Sequence, residues 1–406
     1  MQLAVVLLLC WAFVGHMALS VAFVNRVHAT GIPVHLGKLV WLSAALLITL
    51  VPALFGYWFH VRGLRFGPWM GLGWLPAAAV PYLATCWAAA TLATVDWLRR
   101  RVLHRSPAPL RSDRRRVVRL LQNGPEKSGE GRQHHFLVRL PGNQMLSLDV
   151  AERGLDLESL PEALDRFTIV HMTDLHFTGR VAKAYFEEVA QICNTLRPDL
   201  VAITGDLIDK PRCIAWIPQT LGRLESRYGV FYVLGNHDLR VDTTRLRAAL
   251  GEAGLTYLGG RWIELAVGRR SIVLAGNELP WIAPAADLGS APPPASAGGP
   301  PRIALAHSPD QLPWARRHQV DLLLAGHLHG GQIHLPILGP VVSPSRSGVT
   351  YASGTFHDPP TVMHVGRGLS GEIPLRFNCP PEITRLVLHA PRGGTSPRLE
   401  ASQQQP

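Results

Sequence analysis

The sequence predicts an α/β soluble region preceded by an N-terminal α-helical transmembrane region, and three observations carry that expectation. The first hundred residues are mostly Ala, Leu, Val, Trp and Gly with few charges, whereas the rest has the composition of an ordinary soluble protein. From Phe167 onward, short continuous apolar runs alternate with stretches of helical periodicity, the pattern of sheets covered on both faces. Each of those runs ends in Gly, Asn, Asp or His. At 406 residues the chain exceeds one typical domain and can bury at least one large core.

Residues 3–24, 39–58 and 69–95 each approach or exceed the roughly 20 apolar residues that a spanning helix needs. Trp41, Trp58, Trp69 and Trp97 lie near their ends, where amphipathic rings prefer to sit, and Pro76 and Pro81 predict a kink in the third. The first stretch lacks the basic n-region of a cleaved signal peptide, since Met1 and Gln2 precede it directly. The formal charge of +11 is concentrated: residues 99–119 carry nine arginines against Asp113 alone. A belt that follows an apolar stretch reads as a membrane-flanking anchor in preference to a nucleic-acid arm. The connecting loops 25–38 and 59–68 hold two basic residues each and cancel, so the belt sets the orientation. It predicts an integral protein of the cytoplasmic membrane, with the large C-terminal domain on the cytoplasmic side. The five cysteines are scattered and show no CxxC spacing, which excludes a thiolate zinc site and a disulfide framework.

In the soluble region, 122–134 is a polar, Gly-bearing linker, and HFLVRL and QMLSLDV around PGN predict a hairpin. FTIVHMTD reads as a buried strand, followed by a helix over 182–196 with apolar positions at Tyr185, Phe186, Val189, Ile192, Cys193 and Leu196. LVAITGD, VFYVLGN, SIVLAGN, RIALAHS and DLLLAGH predict five further strands. The Pro/Gly/Ala-rich 284–301 reads as a flexible loop and 391–406 as a disordered tail. The domains expected are therefore 1–98, membrane; 99–121, basic juxtamembrane; 122–166, linker with hairpin; and 167–390, catalytic.

Functional groups of such folds collect at the carboxyl ends of strands. Those ends carry Asp174 and His176 (D-x-H), Asp206 and Asp209 (GDLID), Asn236, His237 and Asp238 (GNHD), His307 (HSPD), and His327 and His329 (GHLHGG). Imidazole and oxygen donors without thiolate suit Mn, Fe or Zn in a mixed site. The donors outnumber what one ion can use, so two divalent ions sharing a carboxylate are expected, acting on a phosphate through an activated hydroxide. Gly205, Gly235 and Gly326 precede these residues and predict sharp turns that aim the next side chain into a cleft.

Together the five motifs resemble the calcineurin-like metallophosphoesterase superfamily over residues 167–390, in a branch associated with membranes or envelopes. The resemblance implies a four-layer α-β-β-α sandwich with two mixed sheets. It implies one ion held by Asp174, His176, Asp206 and His329, and a second held by Asp206, Asn236, His307 and His327, with Asp206 bridging. His237 would contact phosphate and protonate the leaving group, oriented by Asp238. The activity implied is hydrolysis of a phosphate ester, a diester in preference to a monoester, and the anchor suggests a lipid or cell-envelope precursor. A non-catalytic sensor or scaffold of this class would lack a ligand, and none is missing. A nuclease would carry a basic track near the site, yet the arginine belt lies upstream beside the membrane region.

Overall fold

The structure, a computed structural model, describes residues 2–32, 34–62, 79–102, 107–120 and 136–391. It divides into two compact units, one comprising Met1–Ser106, Leu328–Ala352 and Phe377–Cys379, the other Pro107–His327, Ser353–Arg376 and Pro380–Pro406.

The first unit holds α1 (Gln2–His28), α2 (Val34–Arg62) and α3 (Ala79–Val102). α1 and α3 run antiparallel, with Trp87 Nε1 donating to the Leu8 carbonyl at 2.8 Å and Tyr82 Oη 2.6 Å from His16 Nδ1. Gly15 permits that approach, because a Cβ there would overlap the Cys86 carbonyl. Among the described residues two helices are long and apolar enough to cross a membrane, Val6–His28 and Leu39–Tyr57. They match the first two expected spans. The third differs: α3 starts at Ala79 and its last turns carry Asp96 and Arg99–Arg101, and residues 63–78 lie outside the described residues. This unit also contains a short hairpin in which β11 (His334–Leu335) pairs with β12 (Gly339–Pro340).

The second unit contains the remaining strands. A seven-stranded sheet runs in the order β1 (Leu110–Arg119), β2 (Ser147–Asp156), β15 (Glu382–His389), β3 (Thr168–Met172), β4 (Leu200–Thr204), β5 (Val230–Val233), β6 (Leu255–Tyr257). A six-stranded sheet runs β13 (Gly354–Asp358), β14 (Thr361–Val365), β10 (Leu322–Ala325), β9 (Arg302–Ala306), β8 (Arg270–Asn277), β7 (Trp262–Val267). β3 to β6 are parallel, as are β8, β9, β10 and β14; β15 joins β3 antiparallel and β2 parallel, and the edge strands β1, β7 and β13 pair antiparallel.

Strand alternation explains why these apolar runs are continuous. One side of the first sheet (Ile169, Leu200, Ala202, Phe231) packs with Leu274, Ile303, Leu305, Leu322 and Leu324 of the second in a shared core. The other side (Val170, Met172, Val201, Ile203, Tyr232) packs with Tyr185, Phe186, Val189 and Cys193 of α4 (Lys183–Thr195) and with Leu246 and Leu250 of α5 (Thr243–Glu252). Both faces are dry, so neither needs polar residues. A third helix, α6 (Leu312–Arg317), lies along β14.

Three expectations are corrected. The hairpin around PGN does not form, because Phe136–Arg139 is a 3-10 turn whose Leu137 carbonyl accepts from the Asn143 side chain. Ser147–Asp156 pairs instead with β15 and with β1, so half of the arginine belt is an edge strand of the sheet. A charged edge resists pairing with another chain, which gives the arginines a structural use besides anchoring. The α/β unit therefore reaches back to Pro107. Lastly, 284–301 is packed: Ala286 and Leu288 are buried, and the Arg302 guanidinium donates to the Pro292 and Leu288 carbonyls. The expected polar linker 122–134 and all but the first residue of the tail 391–406 lie outside the described residues.

A buried ionic cluster crosses the first sheet. Arg153 on β2 and Arg367 both bind the carboxylate of Glu382 on β15, at 3.1 and 2.7 Å, and Arg367 also pairs with Asp149. Burial alone would raise Glu382, but the two guanidiniums hold its carboxyl well below the usual range.

Candidate metal centre

Each expected ligand of the second unit sits where a parallel strand ends. Asp174 and His176 follow β3, Asp206 follows β4, Asn236 to Asp238 follow β5, His307 follows β9 and His327 follows β10. The turns are tight and strained. Asp174, His176, Asp206 and His327 all adopt positive φ, between 46° and 70°, a region that non-glycine residues seldom enter. Of the three glycines expected to make sharp turns, only Gly205 has positive φ. Gly235 and Gly326 are needed for room: a Cβ at the first would overlap Asp206, and one at the second would overlap Thr173 and Asp174.

Asp174, His176 and Asp206 offer donor atoms all within 4.8 Å of one another, as do Asp206, His307 and His327. Asp206 belongs to both sets. Its Oδ1 accepts from the His237 amide at 2.8 Å, which leaves Oδ2 between two imidazoles, 3.4 Å from His176 Nε2 and 3.3 Å from His307 Nε2. Both rings are fixed from behind. His176 Nδ1 lies 2.8 Å from Asp209 Oδ2 and His307 Nδ1 lies 2.8 Å from the Thr204 carbonyl, and these partners only accept. Each Nδ1 therefore carries a hydrogen, which leaves Nε2, the nitrogen that faces Asp206, as the one able to ligate an ion. Asn236 Oδ1 lies 3.2 Å from His307 Nε2. Asp174 accepts from the His327 amide and from Thr173 Oγ1. His329 opens the next 3-10 turn at φ 51°, in the segment Leu328–Ala352 that belongs to the first unit.

The electrostatics follow from how many buried carboxylates the cluster holds. Burial pushes both His176 and His307 down, yet Asp209 and Asp206 beside them raise each to about 9. Carboxylates this close, sealed from water, call for positive charge. Hard oxygen and imidazole donors of that kind fit divalent cations such as Mn, Fe or Zn.

His237 differs from the ligand types in being reachable. Its side chain is 15 % exposed, against 2 % for the Asp209 carboxylate that it meets at 2.5 Å through Nδ1. Arg240 closes the group, 3.3 Å from Asp209 Oδ1, 3.1 Å from Glu372 and 3.4 Å from His237 Nε2. Asp238, expected to orient His237, does something else. Its Oδ1 accepts from the Leu207 and Ile208 amides and its Oδ2 from the Gly235 amide, so it staples the β4 and β5 loops together.

The domain model for calcineurin-like phosphoesterases matches residues 167–331. The metallophosphoesterase YkuE of Bacillus subtilis is 31% identical over 256 residues, which cover 59% of this chain and 85% of YkuE. The chain belongs to the calcineurin-like phosphoesterases. It is accordingly a hydrolase of phosphoric ester bonds. The phosphodiesterase YaeI of Escherichia coli is 31% identical over 227 residues, 55% of this chain and 82% of YaeI. A transmembrane protein with a metallophosphoesterase domain from Danio rerio is 29% identical over 255 residues, covering 59% of this chain and 57% of that one.

Among calcineurin-like phosphoesterases this chain was legible through its five motifs, but two neighbours of the site were not. Trp281 packs its ring 4.7 Å from that of His327 and 5.4 Å from that of His307, walling the histidines with apolar surface. It stands alone in ELPWIAP, with no spacing to link it to a ligand. Arg240 follows GNHD after one residue, Leu239, and its one-turn offset from His237 was the available signal.

Proposed function

We propose that this chain is a membrane-associated phosphodiesterase whose domain faces the cytoplasm and whose site holds two divalent ions. Asp174, His176, Asp206 and His329 would hold one; Asp206, Asn236, His307 and His327 would hold the other. The observation that carries this reading is the position of Asp206 Oδ2, with an imidazole Nε2 on each side at 3.3–3.4 Å. One carboxylate can thus serve both positions. When bound, the ions supply Lewis acidity, neutralising phosphate oxygens and lowering the pKa of water toward neutrality.

The residues of the chain do the rest. The Asp209 carboxylate keeps the His237 ring in one orientation, with Nδ1 facing inward and Nε2 toward the reachable side. A histidine so held can give a proton to the departing oxygen, a contribution of about 10²–10⁴-fold. Arg240, beside His237 Nε2, presents positive charge where a phosphate oxygen would rest. The diester preference draws support from the likeness to YaeI, and the membrane setting from the two long apolar helices and the transmembrane relative. The arginine belt supports the cytoplasmic face.

Asp206→Asn tests the reading. It should abolish hydrolysis of bis(p-nitrophenyl) phosphate and lower the metal content, measured by mass spectrometry, toward one ion or none. A variant that keeps two ions and normal turnover would refute the shared-carboxylate assignment.

A further inference from the structure

The segment after His329 is apolar, exposed and physically joined to the helices. Residues 330–344, GGQIHLPILGPVVSP, contain no Asp, Glu, Lys or Arg. Within it Ile333, Leu335, Ile337, Leu338 and Val342 are all exposed, Ile337 at 73 %. An apolar patch of this kind on an otherwise charged protein marks an interaction site. Its own unit says with what. The segment clusters with α1, α2 and α3, Arg101 of α3 donates to the Ile337 carbonyl at 2.6 Å, and the Ser343 amide donates to Asn25 Oδ1 of α1 at 3.0 Å. α1 and α2 in turn expose Leu7, Leu8, Phe13, Leu42, Leu46 and Leu50, the surface of helices made for lipid.

We propose that the β11–β12 hairpin is a membrane-docking element whose apolar side chains enter the same bilayer as α1 and α2. Backbone chemistry sets its depth. Irregular backbone does not cross hydrocarbon, because each unmet N–H or C=O there costs several kcal/mol. The hairpin therefore lies at headgroup level, its strand pairing and its bond to Arg101 at the end of α3 meeting part of the backbone, while Ile337 and Leu338 dip inward. Arg99 to Arg101 at the end of α3 suit the anionic headgroups of that level.

The test uses the full-length wild-type protein in vesicles of equal parts phosphatidylcholine and phosphatidylglycerol, with a trace of phosphatidylcholine bearing a diazirine in its acyl chain. After irradiation, peptide mass spectrometry should find acyl adducts on 333–342 as well as on α1 and α2, several-fold above those on the edge strand β7. Adducts on the helices but none on the hairpin would overturn the proposal, whether the hairpin faces water or is covered by protein. A second measurement guards the assignment: Leu338→Asp should lower hairpin labelling several-fold while hydrolysis of bis(p-nitrophenyl) phosphate in detergent stays unchanged. Labelling that ignores the charge would also count against lipid contact.

Discussion

The division of labour between two neighbouring aspartates can be tested by exchanging each for its amide. Asp209 serves three partners at once: His176 Nδ1 at 2.8 Å, His237 Nδ1 at 2.5 Å and Arg240 at 3.3 Å. In Asp209→Asn only one oxygen remains, so one histidine keeps an acceptor and the other faces an N–H₂ group, donor against donor. A lost charge-assisted hydrogen bond is worth about 1.5–3 kcal/mol, which corresponds to roughly 10- to 150-fold. If the amide turns its nitrogen to His237, that factor appears in kcat. If it turns to His176, metal affinity falls by about 10–100-fold, the usual cost of disturbing a carboxylate behind a ligating histidine. Asp238→Asn should behave differently, because its carboxylate meets three backbone amides and no histidine. One acceptor becomes a donor against a buried N–H, costing about 1–3 kcal/mol of stability. The assay is kcat and KM for bis(p-nitrophenyl) phosphate at saturating Mn, with thermal unfolding and metal content measured on the same samples. Should Asp209→Asn retain full kcat and full metal while Asp238→Asn lost turnover with its melting temperature unchanged, the roles assigned here would be reversed.

Glu382→Leu leaves Arg153 and Arg367 buried beside an uncharged side chain and should destabilise the protein by about 3–5 kcal/mol in urea titration. His171 is fully buried beside His364; burial, the larger cause, and Arg153 press it down to about 3 from its ordinary 6.5. Below pH 6.5 the unfolded chain binds a proton that the folded chain refuses, so folding stability falls as pH drops from 6.5 toward 3 and is retained above 6.5. At pH 5 that one group should cost about 2 kcal/mol, and His171→Gln should remove that share of the difference between unfolding at pH 7 and at pH 5; an identical pH response would contradict it. Gly235→Ala places a methyl against Asp206 and His307, neither of which can retreat from the buried site, and should empty the metal site by elemental analysis while far-ultraviolet circular dichroism is kept.

The legible part of this molecule was the part where one physical rule dominates. The strands β3, β4, β5, β8, β9 and β10 were found because a strand dry on both faces can be nothing but apolar, and α4 because its buried positions recur at helical spacing. The donor set was found because each of these strands ends in residues that no core would tolerate. The edges were read less well. The run HFLVRL has a strand's composition, yet Asn143 donates to the carbonyls of Leu137 and Pro374, and such a side-chain bond over a sequence distance of 231 residues leaves no local trace. The Arg-rich β1 looked like a tether because an edge strand needs only one partner and tolerates charge on its free side. Asp238 misled for the opposite reason. It stands next to His237, but successive residues at a turn point apart, and the carboxylate that meets the imidazole comes from GDLID, 28 residues earlier in the chain.

What no composition could announce is the backbone of the site. Asp174, His176, Asp206 and His327 hold left-handed conformations that glycine would adopt freely, and each costs on the order of 1–3 kcal/mol. Glycine at these positions would relieve the strain and remove the ligand, so the conformation and the donor have to reside in the same residue. The rigid parallel strands make that possible. Asp174 N donates to the Gly205 carbonyl and His176 N to that of Asp206, so the loop after β3 is clamped to the loop after β4 by the same kind of ladder that pairs the strands beneath. The sheet thus extends its register one step into the site and carries the donors with it. Two features then reinforce each other: the strain persists because the sheet over-determines it, and the crowded carboxylates persist because the same clamps prevent them from moving apart. Under the proposed function, donors clamped in this way are held in place before any phosphate arrives, which is the condition under which their charges do the most for a transition state.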